Sequence, residues 1–196
     1  MDHSPRVTAT VAALLVIRAA ACAAEPESKS WMINDIERRA LVYAPTKGER
    51  STPAPIVFVF HGHGGSPQNI DRTMHIQTLW PKAFVVYMQG IPTPTRIDPE
   101  GKKPGWQCAP GQVDDRDLKF FDTVLADLRK NHSIDNNRVY ATGFSNGGVF
   151  TYVLWSERPN VFAQRVGDRQ RSLSRPQRNP VGAIKPAIDN FSLALW

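Results

Sequence analysis

The residues best equipped for chemistry are Gly143-Phe144-Ser145-Asn146-Gly147. A β-favouring run, Val139-Tyr140-Ala141-Thr142, leads into them, and an apolar helical run leads out. A strand-to-helix turn this tight strains its central residue. It also lifts the serine hydroxyl above the carboxyl ends of the strands, where ligands bind in open α/β sheets. Gly143 and Gly147 are small enough for neighbouring backbone to pass closely. The pattern is that of a nucleophile elbow with Ser145 as nucleophile; the bland alternative is a glycine-rich turn with an incidental serine.

A second chemical signal is His61-Gly62-His63-Gly64-Gly65, directly after the apolar run 56–60. Consecutive glycines let backbone N–H groups point into a site. The expected oxyanion hole combines the N–H of Asn146 with one from this loop, on His63 or Gly64, through backbone rather than side chain. The His61 imidazole is expected to brace the loop rather than to catalyse.

Several elements must hold these residues. Residues 39–43 form a short strand candidate. Residues 56–60 (Ile-Val-Phe-Val-Phe) and 84–88 are continuous apolar, β-favouring runs, as in strands buried on both faces. Residues 92–111, rich in Pro, Gly and Lys, are expected to form a surface loop. A helix follows, capped by Asp114 or Asp115, with Leu118, Phe121, Val124, Leu125 and Leu128 on one face. Residues 138–142 are the next strand, and a second helix runs to about Trp155. Alternating strands and helices predict an α/β fold, a mostly parallel sheet with crossover helices.

Taken together, residues 56–65, 85–90, Gly105-Trp106, 114–121 and 138–148 resemble the esterase family that includes polyhydroxybutyrate depolymerases and feruloyl esterases. The resemblance runs from about Arg39 to Phe162. It implies the α/β-hydrolase fold and hydrolysis of an ester through an acyl-serine intermediate. It implies no metal or organic cofactor, and as partner an ester substrate, either a polyester or a plant-type hydroxycinnamoyl ester. Asp114 and Asp115 match a family segment that caps its helix, not the acid of a catalytic triad.

A serine hydroxyl is a poor nucleophile until a base takes its proton. In this fold the chain order is serine, then acid, then histidine. The last histidine here is His132, and none follows Ser145. Asp189 is the only aspartate well downstream, and no β-run delivers it to the sheet. His75 and His132 are not expected to reach the serine. His63 lies nearest, with no orienting carboxylate identifiable from sequence. An esterase impaired by loss of acid and histidine is therefore expected. The alternative is a non-catalytic remnant or binding protein that keeps the substrate face.

Composition agrees with a folded chain: 196 residues, 41% hydrophobic and 21% charged. The organisation expected is a signal peptide at 1–24, the N-terminal part of an α/β-hydrolase domain at 25–162, and an aberrant or disordered basic tail at 163–196. Arg6 precedes the apolar run 7–17, and small residues at 19–24 suit cleavage, so a secreted or periplasmic location is expected. That run is too short to span a bilayer, which needs about 20 apolar residues. Cleavage after Ala23 or Ala24 would leave Cys108 alone, either awaiting a partner or buried and inert. Of the net charge of +6, residues 165–196 hold six basic against two acidic groups. The basic character thus belongs to the tail, and no nucleic-acid or membrane partner is inferred. The five arginines and two prolines of residues 165–180, without any period, read as disorder or as coding sequence read out of frame. A natural basic tail that binds polyanions is the alternative.

Overall fold

A computed structural model describes residues 25–46 and 52–163. The expected leader at 1–24 and the tail beyond residue 163 lie outside the described residues. In chain order the elements are strands β1 (Glu27–Ile33), β2 (Ile36–Tyr43) and β3 (Ala54–Phe60), then helices α1 (Pro67–Met74) and α2 (Ile76–Leu79). Strands β4 (Phe84–Met88), β5 (Ile91–Pro92) and β6 (Pro104–Gly105) follow. Helix α3 (Arg116–Asn131), strand β7 (Ile134–Gly143) and helix α4 (Asn146–Glu157) complete the described chain.

Five strands form one sheet in the order β1-β2-β4-β3-β7. β4, β3 and β7 run parallel, β2 is antiparallel to β4, and β1 is antiparallel to β2, so only β2 opposes the others. The sheet is mostly parallel, as the alternation of elements predicts. β3 and β4 are buried almost throughout because helices cover both of their faces. Ile56, Phe58 and Phe60 face α3 and α4, packing with Phe121, Leu128, Phe150 and Leu154. The intervening Val57 and Val59 face α1, packing with Ile70 and Tyr87. Period-two alternation along one strand thus supplies two cores. Among the described residues no helix is long and apolar enough to cross a membrane.

Three expectations need correction. Residues 92–111 are not simply a surface loop. They carry the β5/β6 pair, and Thr93, Trp106 and Gln107 are buried. Asp114 and Asp115 do not cap α3: no side-chain cap bond exists there. Val113, Asp114 and Asp115 instead occupy three successive left-handed conformations, with φ of 45°, 55° and 51°. The Asp115 carboxylate accepts from Gln107 Nε2 (2.7 Å) and from the Gly111 N–H (2.8 Å). β7 also begins four residues before the strand expected at 138, since Asp135-Asn136-Asn137 is absorbed at a register shift against β3.

Candidate active site

The three parallel strands deliver their next residues to one edge. His61 follows β3, Gln89 follows β4, and Ser145 lies just beyond β7. At that edge Phe60 pairs with Gly143, and the Phe144 N–H donates to the Phe60 carbonyl at 3.1 Å. Ser145 then takes φ 52°, ψ −117°, a conformation that non-glycine residues avoid, and α4 starts immediately after it. The surroundings over-determine this strained corner. A Cβ on Gly147 would lie 2.2 Å from the Phe60 carbonyl oxygen, and one on Gly143 2.4 Å from Gly147 backbone. At both glycines neighbouring backbone passes too closely for a Cβ.

Ser145 is exposed, and among the described residues its hydroxyl makes no hydrogen bond. The glycine loop lies against it: a Cβ placed on Gly62 would sit 3.5 Å from Ser145 Cβ. Of the two loop residues proposed as oxyanion donors, Gly64 is already committed, its N–H donating to the Pro104 carbonyl at 2.7 Å. The His63 N–H has no hydrogen-bond partner among the described residues, and neither does that of Asn146 at the first turn of α4. The free donors are thus on His63 and Asn146.

His61 is a brace, as expected. Its Nδ1–H donates to the Gly62 carbonyl (2.7 Å), and its Nε2 accepts from the Gly90 N–H (2.9 Å). With Nε2 occupied as acceptor, the ring is neutral. Burial lowers its pKa below the ordinary histidine value of 6.5, only partly opposed by the Gly62 carbonyl.

Sequence spacing alone offers no carboxylate for His63. The structure supplies Asp98, whose Oδ2 lies 3.0 Å from His63 Nε2 and also accepts the Lys103 N–H at 2.9 Å. Those bonds, the Lys103 N–H first, hold the Asp98 carboxyl below its usual pKa. The other ring nitrogen, His63 Nδ1, is buried without a partner beside Gly105. The ring thus ties the glycine loop to the 94–105 segment, with Nδ1 packed against backbone rather than bonded to the Ser145 hydroxyl. Asp98 is far from His63 in sequence and lies in a stretch expected to form a surface loop, so spacing could not reveal the pair.

His132 and His75 stay away from the serine. The His132 ring packs on Phe84 at the opposite end of the strands, with centroids 4.9 Å apart. His75 joins α1 to α2.

Beneath the corner, Trp106 is fully buried and organises the floor. Its indole N–H donates to the His61 carbonyl at 2.9 Å, and its ring stacks on Phe150 and meets Phe60 edge-on. Behind it runs a buried ion pair, Arg38 Nη2 to Asp117 Oδ1 at 2.8 Å. Asp117 Oδ2 accepts the Gln107 N–H (2.8 Å), anchoring the segment that carries Trp106. Neither Arg38 nor Asp117 stood out in the sequence. Cys108, the one cysteine among the described residues, is exposed, which removes the buried-thiol alternative.

A strained serine at a strand-to-helix corner, on a mostly parallel sheet covered on both faces, defines an α/β-hydrolase fold. Solved structures agree: the chain superposes on the acetyl xylan esterase from Aspergillus awamori with a TM-score of 0.54 at 15% identity, covering 69% of this chain and 49% of that one. In sequence it is 28% identical over 153 residues to a probable feruloyl esterase C of Aspergillus clavatus, covering 78% of this chain and 53% of the relative. It is 31% identical over 135 residues to feruloyl esterase D of Neurospora crassa, covering 65% and 43%. No protein-family model matches. The chain is thus similar in sequence to feruloyl esterases and shares the α/β-hydrolase fold. It spans about half the length of the curated relatives it matches.

Proposed function

We propose that residues 25–162 are the nucleophile-bearing, N-terminal part of a carboxylic ester hydrolase domain, with Ser145 attacking the ester carbonyl to form an acyl-serine. The observation that carries this reading is the Ser145 backbone, strained at φ 52° beside the unpartnered N–H groups of Asn146 and His63. Those two donors would stabilise the oxyanion that develops as the serine oxygen adds to the carbonyl carbon. Hydroxycinnamoyl esters are the substrate class favoured by the relatives' names. A polyester is the second substrate class, from the sequence resemblance alone. Export, carried by residues 1–24, belongs to the same proposal.

Turnover by these residues alone is weak in this reading. No histidine follows Ser145 in these 196 residues, and His63, the one histidine paired with a carboxylate among the described residues, turns its free nitrogen into packed backbone. That observation also favours a second reading, a non-catalytic binder that keeps the substrate face. Hydrolysis of p-nitrophenyl acetate by the purified chain and by Ser145→Ala separates the two. The esterase reading expects slow turnover that Ser145→Ala removes. Oxyanion donors left without a triad sustain about 10³–10⁴-fold over water in serine proteases, and a comparable residue of activity is the scale to look for. Identical rates in the two proteins would leave the binder.

A further inference from the structure

Residues 94–112 carry an open cavity of about 340 Å³, lined by Pro94, Thr95, Arg96, Cys108 and Gln112. Three ties fix this wall to the catalytic corner: His63 to Asp98, the Gly64 N–H to Pro104, and Asn146 to Trp106 and Cys108. The cavity borders the corner directly, because Cys108 Sγ lies 3.4 Å from Nδ2 of Asn146, the residue after the nucleophile.

The polar lining is rich in donors. Arg96 is exposed and forms no ion pair among the described residues. Gln112 Oε1 is used up accepting the N–H groups of Cys108 (2.7 Å) and Ala109 (3.2 Å), which leaves its amide nitrogen to donate. The Thr95 hydroxyl is buried and has no partner among the described residues. Of the nearby carboxylates, Asp98 is engaged by His63 and Lys103 and Asp115 by Gln107 and Gly111, while Asp114 is exposed. A guanidinium, an amide N–H and an orphaned hydroxyl around one cavity match a carboxylate.

We propose that this cavity is a subsite for a carboxylate carried by the ester substrate at a distance from the reacting carbonyl, with Arg96 as its counter-ion. The identification as a substrate subsite rests on the esterase reading of Ser145. The binding itself does not, so it is tested in Ser145→Ala, where no ester is consumed.

The readout is alkylation of Cys108 by iodoacetamide, followed by peptide mass spectrometry that resolves it from Cys22. The probes are monomethyl glutarate, which bears a free carboxylate, and dimethyl glutarate, which does not. The half-acid is expected to slow Cys108 alkylation at a concentration where the diester leaves it unchanged. Arg96→Gln is expected to weaken that protection by about threefold, the scale of an exposed ion pair. Equal protection by both probes, no protection by either, or undiminished protection in Arg96→Gln would overturn the proposal. Loss of hydrolysis in Ser145→Ala, tested separately, bears on the esterase reading alone.

Discussion

The side-chain amide of Asn146 pairs with both backbone polar groups of Trp106, its Oδ1 accepting the Trp106 N–H at 2.8 Å and its Nδ2 donating to the Trp106 carbonyl at 3.0 Å. One side chain, adjacent to Ser145, thus does for a buried tryptophan what a neighbouring strand would do. It fixes the 94–112 wall and the first turn of α4 relative to each other.

Asn146→Ala should therefore destabilise more than an ordinary surface change. It strands two backbone groups of a fully buried residue, each worth about 1–3 kcal/mol when unsatisfied. The expected loss is ~2–4 kcal/mol by urea denaturation. A loss below about 0.5 kcal/mol would mean that water replaces the amide at no cost.

The corner was legible from sequence because its chemistry is local. Gly143, Ser145 and Gly147 sit within five residues, and only a tight strand-to-helix turn needs small residues on both sides. β3 and β4 were legible because burial on both faces leaves an unbroken apolar run. β1 was missed because among the described residues it pairs on one side only and its residues are largely polar, although Asn34-Asp35, with φ of 48° and 62°, is a two-residue hairpin signal. The His63–Asp98, Asn146–Trp106 and Arg38–Asp117 pairs join residues 35, 40 and 79 positions apart. No spacing rule reaches across a crossover connection.

Removing one partner of the Arg38–Asp117 pair should be costly. Both side chains are essentially inaccessible, and Arg38 also lies over the Phe120 ring, 4.4 Å from its centroid. Burial pushes the Arg38 guanidinium below its ordinary pKa, and Asp117 pulls it back up. Asp117→Ala would leave that cation unpaired, at a cost of about 3–5 kcal/mol. The double variant Arg38→Met/Asp117→Ala should lose less than Asp117→Ala alone. Guanidinium unfolding of both variants measures the difference, and equal losses would show that the charge is not what matters.

Stability should fall on mild acidification because of His61. Its folded-state pKa lies below the ordinary 6.5, so in the window beneath 6.5 the unfolded chain binds a proton that the folded chain refuses. The unfolded state then holds more protons, and unfolding free energy decreases as pH drops through that window. Thermal midpoints recorded from pH 8 to pH 5 should decline below about 6.5. His61→Gln should start lower and give a flatter profile over the same range. A profile in the variant as steep as in the parent would assign the slope to other groups.

The last expectation concerns the outer edge of the sheet. Among the described residues β7 pairs only with β3, so apart from the Val139 carbonyl, which accepts the Ala163 N–H at 2.9 Å, the N–H and C=O groups along its other side have no strand partner. Phe144, Val149 and Tyr152 also expose large apolar surface at the start and along one side of α4. A parallel strand is ordinarily covered, and an unpaired edge is a template for pairing between chains. Each large apolar side chain left in water forfeits on the order of 1.5–3 kcal/mol, against a typical total stability of about 5–15 kcal/mol. The isolated 196-residue chain should therefore associate as its concentration rises, which light scattering would record across a dilution series. Val149→Lys/Tyr152→Lys places like charges on the exposed side of α4 without touching its buried face, which is formed by Phe150, Val153 and Leu154. That variant should remain monomeric at concentrations where the parent scatters. A parent chain that stays monomeric and unfolds in one sharp calorimetric transition would show that the edge is already covered.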